Sequence, residues 1–186
     1  MLKLQRPPVT SPGGYATAAD FCRIFKGEMK RLYLLAFLLT ANHVKAESCF
    51  LAAFADAGKT AGVFREFASS WSRRAIIAHA IRLMTPVSSH ASETSDLWDE
   101  TNREVATEVI NRVVQMGLLE RFVYVLTVLE RYGDGKCAAL LSCSRAHVAE
   151  ARVRALEQLW SRIDRYGRVC HLLQPLCVQS IDQRVS

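Results

Sequence analysis

Apolar residues return at three- and four-residue intervals along most of the chain, and no β-branched alternating run is long enough for a strand. Phe21, Phe25, Leu32, Leu35, Ala36 and Leu39 share one face of a helix predicted over 17–39, which Thr17 and Asp20 open as a near capping box. Asn42 caps a second helix whose apolar face is Ala46, Phe50, Ala53, Phe54 and Ala57, and Gly58 stops it. A third spans 63–84, with Phe64, Phe67, Trp71, Ala75, Ala78 and Leu83 directed inward and Pro86 beyond its end. Helical spacing resumes with Val105, Val109, Val113 and Met116, breaks at Gly117, and returns with Leu119, Phe122, Val123, Leu126 and Leu129. Gly133, Asp134 and Gly135 end that helix, and Asp134 is placed to cap the next. The fold class expected is all-α.

Between these two sets of helices, residues 86–97 (PVSSHASETSDL) turn to Ser, Thr, His and acids and lose all periodicity. The 186 residues therefore divide into a flexible, Pro- and Gly-containing lead at 1–15, a helical domain at 16–85, a linker at 86–98, a second helical domain at 99–165 and a tail at 166–186. A chain that is 50 % hydrophobic and 23 % charged is not a disordered polymer. The most apolar stretch, 32–41 (LYLLAFLLTA), is far shorter than the ~20 residues a bilayer requires, so no membrane partner is expected. The first fifteen residues lack the apolar block of a signal peptide. Six cysteines without a CxxC pair suit buried thiols in a reducing compartment, and a cytoplasmic location is expected.

The formal charge of +6 is segregated. Residues 1–90 hold 12 Lys+Arg against 5 Asp+Glu, residues 91–130 hold 3 against 8, and residues 131–186 hold 9 against 5. Two basic blocks around an acidic one suit a shared polyanionic partner such as DNA, or simply two solvated faces. Within the second block a short helix over 136–141, the turn Ser142-Cys143-Ser144 and a cationic helix over 145–160 form the layout of a helix-turn-helix. There Ser144 caps the second helix, and Arg145, His147, Arg152 and Arg154 supply groups for base edges and phosphates. An ordinary helical hairpin with a solvated Arg face has the same outline.

These residues resemble the two-domain extracytoplasmic-function group of RNA polymerase sigma factors of the sigma-70 family. Ala138, Leu140, Leu141, Ser144, Val148, Arg154, Ala155, Leu156 and Leu159 stand where the family's region four wants them, behind a helix with Arg121, Val123, Val125 and Leu126. Leu38, Leu39, Thr40, Asn42, Ala46, Glu47 and Phe54, then Trp71 and Arg74, resemble region two. The resemblance implies a transcription initiation factor that performs no bond chemistry and needs no cofactor. Region two would dock on core RNA polymerase around Lys45, Glu47, Ser48 and Leu51. Promoter DNA would be held by Ser144, Arg145, His147, Arg152 and Arg154, with Arg73 and Arg74 in region two, and an anti-sigma factor is a further partner the family implies. Arg152 would in part cover the core.

Two other readings stay open. In the first, the fold survives as a sigma-like adaptor for protein interaction that neither melts nor reads promoters, as the run Ala149-Glu150-Ala151 in the recognition helix suggests. In the second, a generic helix-turn-helix repressor, the chain needs a dimer surface. No Gly-rich phosphate loop, nucleophile elbow or paired-carboxylate arrangement points to an enzyme. Cys143 and His147 are spaced i, i+4 but lack a further ligand pair, so no metal is expected. Trp71 and Trp160 are expected in cores, His79 on the surface of its helix or half-buried, and Trp98 at the linker edge.

Overall fold

A computed structural model of the chain describes residues 14–84 and 103–160, the side chains of 103–106 excepted. The described residues are mostly helical, with eight α-helices and no strand, and the chain divides into two compact units, Met1–Asp96 and Leu97–Ser186. The expected linker at 86–98 with Trp98, and the tail from 166, lie outside the described residues.

Unit 1 contains α1 (Ala18–Gly27), α2 (Met29–Thr40), α3 (His43–Lys59) and α4 (Ala68–Met84). The Thr17 capping box forms in full: the Thr17 hydroxyl accepts from the Asp20 N–H at 3.3 Å and the Asp20 carboxylate accepts from the Thr17 N–H at 3.0 Å. The single helix expected over 17–39 is two helices. The chain bends at Glu28 (φ −105°, ψ 15°), directly after Gly27, and the Glu28 carboxylate accepts from the Ser69 hydroxyl on α4 at 2.7 Å. Ala41 turns α2 into α3 with left-handed backbone (φ 52°), and the Asn42 Oδ1 caps α3 through the Lys45 N–H at 3.0 Å.

The core of unit 1 joins Phe21, Phe25, Leu32, Leu35 and Leu39 to Ile76 and Ile77. Ala46, Ala53 and Ala57 of α3, with Ala68 and Ala80 of α4, are almost fully buried; such small side chains let helix backbones approach closely. Helix α4 begins five residues later than expected. Residues 63–65 are instead paired with the start of the unit, the Ala16 N–H donating to the Val63 carbonyl at 2.7 Å and the Arg65 N–H to the Gly14 carbonyl at 3.0 Å. A 3₁₀ turn, Arg65–Phe67, follows. This pairing also corrects the expectation that everything up to residue 15 is an unpacked lead. Phe64, Phe67, Ala78 and Leu83, expected inside, are exposed, as Phe54 is at 40 %.

Unit 2 contains α5 (Arg103–Gln115), α6 (Leu118–Tyr124), α7 (Asp134–Leu141) and α8 (Arg145–Trp160). Val113, Met116, Phe122, Val123, Val125, Leu126, Cys137, Val148, Ala151, Ala155 and Leu159 form its core. Gly117 breaks the chain between α5 and α6 as expected, and buried Arg121 reaches back across the break: its Nη1 donates to the carbonyls of Val114 at 3.1 Å and Met116 at 3.3 Å. Carbonyls at and just beyond the end of α5 lack intrahelical donors, and Arg121 supplies one. After α6 the backbone widens into a π-helical turn over Val125–Leu129, where the Glu130 N–H donates to the Val125 carbonyl at 2.9 Å. Arg131 then adopts left-handed backbone with φ 56°.

Candidate nucleic-acid interface

Helices α7 and α8 meet at a short turn that their own ends define. Ser142 takes left-handed backbone (φ 52°) and its N–H donates to the Ala138 carbonyl, while the Cys143 N–H donates to the same carbonyl at 3.0 Å. Ser144 caps α8, its hydroxyl accepting from the His147 N–H at 3.2 Å. Asp134, expected to cap α7, is that helix's first residue and makes no cap; its carboxylate is taken by Arg152 Nη1 at 2.6 Å. Gly133 stands in the cap position with extended backbone.

Of the residues expected to hold DNA, Ser144, Arg145 and His147 come together, exposed, on the first turn of α8. The Arg145 guanidinium folds back over Gly135 so closely that a Cβ there would lie 2.9 Å from Nη2. Lys136, at the neighbouring position, sits over the Tyr132 ring at 4.2 Å from its centre. Arg152 and Arg154 are differently employed. Arg152 is half-buried on its Asp134 pair, and Arg154 Nε donates to Glu120 on α6 at 2.9 Å, with Nη1 3.9 Å from Glu150. Both arginines thus brace α8 against its own unit, each through a partly exposed pair with a carboxylate of α7 or α6.

The face of α8 that packs inward is Val148, Ala151, Ala155 and Leu159. Its outward face is also apolar: Ala146 and Val153 are exposed, Ala149 and Leu156 half-buried, and Trp160, expected in the core, is 42 % exposed. Periodicity over α8 thus marks two faces, and the interleaved arginines hide the outer one in the sequence.

In unit 1 the residues expected to meet polymerase lie along α3. Glu47, Ser48 and Leu51 are exposed beside Val44, the Ser48 hydroxyl donating to the Val44 carbonyl at 2.9 Å. Lys45 is half-buried, its Nζ 3.8 Å from the Met84 sulfur. Arg74 is exposed and Arg73 half-buried on α4. His79 is half-buried, its Nε2 2.8 Å from Asp56 Oδ2, and so ties α4 to α3. Trp71 is half-buried edge-on to Phe21 at 5.1 Å.

One surface was not anticipated. Tyr15 and Phe64 stack at 5.0 Å between ring centres, both exposed, with Phe67 at 51 % exposure three residues on and Arg65 between them. The alternation Phe64-Arg65-Glu66-Phe67 was its only trace in the sequence, read there as core spacing. Aromatic faces beside a guanidinium are what unpaired bases stack on.

Burial pushes the Cys49 and Cys137 thiols up to about 11, away from the thiolate a nucleophile needs. Among the described residues no group of three or more His, Cys, Asp or Glu gathers as a metal site, and no helix is long and apolar enough to cross a membrane. No family model matches the chain, and no curated protein matches it.

Proposed function

We propose that this chain is a sigma-like transcription initiation factor, with unit 1 docking on core RNA polymerase and unit 2 engaging promoter DNA through α7, the turn and α8. The observation that carries the reading is the α7–turn–α8 geometry, in which a Ser144-capped helix presents exposed Arg145 and His147 on its first turn. The outer side of α3 at Glu47, Ser48 and Leu51 is the polymerase-facing surface in this scheme. The Tyr15, Phe64 and Phe67 rings supply a place for an unpaired promoter strand, and Arg73 and Arg74 are further phosphate contacts on unit 1. The protein's part is positioning alone.

A second reading is favoured by a specific observation. Arg152 and Arg154 are paired with Asp134 and Glu120 of their own unit, and the outward face of α8 holds apolar side chains instead of base-edge donors, as suits an adaptor that binds protein. Co-purification with core polymerase, together with anisotropy of duplex promoter DNA across a salt series, tests the first reading. Initiation predicts polymerase capture and DNA affinity that falls steeply with salt, by a log–log slope of about −0.9 per phosphate contact. It also predicts that Arg145→Glu abolishes DNA binding. Polymerase capture with DNA affinity indifferent to Arg145→Glu selects the adaptor, and absence of both overturns the initiation reading.

A further inference from the structure

We propose that α8 pairs with α8 of a second copy of this chain as a parallel two-stranded coiled coil, through the helix face that points away from its own core. At 100° per residue, Ala146, Ala149, Val153, Leu156 and Trp160 lie within one stripe about 135° from the buried row Val148, Ala151, Ala155 and Leu159. Their spacing alternates three and four residues without a break, so Ala146, Val153 and Trp160 occupy a positions and Ala149 and Leu156 occupy d positions of a heptad. Val153 is 53 % exposed, which costs an apolar side chain the benefit of burial unless something covers it.

The charges beside the stripe name the occupant. One flank, the g positions, carries Arg145 and Arg152; the other, the e positions, carries Glu150 and Glu157. In a parallel pair each g residue meets the e residue five positions on in its partner, so Arg145 meets Glu150 of the second copy and Arg152 meets Glu157 of the second copy. Two such pairs arise on each side of the two-fold axis. An antiparallel pair would set Arg against Arg and Glu against Glu, which the same charges oppose. Arg152 need not release Asp134, since that bond uses Nη1 and a guanidinium has five N–H donors. The small Ala146 and Ala149 bring the helices closest at their capped ends, and Trp160 closes the other end.

This pairing does not rest on the initiation reading, but it acts on it. The stripe is the side of α8 that a DNA groove would receive, so a self-paired α8 is withheld from DNA, and promoter binding competes with dimer formation.

The test is sedimentation equilibrium on the full chain over a concentration series reaching roughly 100 µM, a range that saturates micromolar pairing. The expected result is a mass that rises from one chain toward two. Val153→Glu, the double variant E150R/E157R and the double variant R145E/R152E each remain at one chain mass with helical circular dichroism unchanged. An equimolar mixture of the two double variants returns to two chain masses, because each supplies the charges the other has reversed. If R145E/R152E loses helicity with its Asp134 pair, Arg145→Glu alone takes its place in the mixture. A wild-type chain that stays at one mass throughout overturns the proposal, and that is the result if residues of the same chain or a different protein cover the stripe. A dimer untouched by Val153→Glu, or folded double variants that fail to combine, overturns it equally.

Discussion

Arg152 Nη1 lies 2.6 Å from Asp134 Oδ1, fastening the middle of α8 to the first residue of α7 across eighteen positions of sequence. Both side chains are about one-third exposed, so water screens the pair. A double-mutant cycle on Asp134→Ala and Arg152→Ala is expected to give a coupling of about 0.5–1 kcal/mol, read from urea midpoints and shrinking with added salt. A coupling near zero would mean that the turn alone holds α7 against α8.

Ser142 sits in the left-handed region at φ 52° with its side chain exposed. There the Cβ of a non-glycine residue crowds the carbonyl oxygen that follows it, and glycine has no Cβ. Ser142→Gly is therefore expected to stabilise unit 2 by about 1 kcal/mol, seen as a higher denaturation midpoint with the same helicity. A lower midpoint would show the serine making a compensating contact.

Arg121 is buried, and burial holds its guanidinium below its ordinary pKa; the carbonyls of Val114 and Met116 are its acceptors. Arg121→Met keeps much of the side-chain volume and removes the donors, leaving the end of α5 unsatisfied. A loss of roughly 2–3 kcal/mol is expected, with amide exchange accelerated over α5 and α6. Unchanged exchange in those helices would sink this account of Arg121.

Asp20 is held from its ordinary 3.8 down to about 2, first by the Thr17 N–H, then by the Thr17 hydroxyl, with Arg65 and Arg23 adding to both against the opposing effect of burial. A carboxylate depressed on folding stabilises the native state above its unfolded value and ceases to do so as pH falls through its folded value. The acid limb of unit 1 is thus expected between about pH 4 and 2. Asp20→Asn should flatten it. Thr17→Ala should shift it upward and cost about 1 kcal/mol at neutral pH, both read from urea midpoints against pH.

The caps were the most legible part of this molecule. Thr17 with Asp20, Asn42 and Ser144 each had the right side chain ahead of an apolar repeat, and short-range bonds of that kind depend on little else. The bend at Glu28 was hidden because Phe25 and Leu32 keep one apolar period across it, although Gly27 was a local sign. Phe64 and Phe67 fit a helical row with Trp71, yet backbone pairing of 63–65 with 14–16 overrides that spacing and turns the rings outward. Arg152 and Arg154 are expected from the sequence at phosphates, with Arg152 in part over the core. Their partners, Asp134 and Glu120, lie 18 and 34 residues away, and no local pattern announces so distant a pairing.

The π-helical turn over Val125–Leu129 carries a practical consequence for how the chain tolerates editing. A turn closed five residues apart holds one residue more than an α-helical turn, so this stretch contains slack. Deleting one residue inside the turn would let the backbone tighten to ordinary helix while Arg131 and α7 keep their places. The same deletion at Leu118 or Leu119 would swing Phe122 and Val123 by about 100° relative to α5. Among the described residues this turn is a place where a change of length can be absorbed, just upstream of α7 and α8.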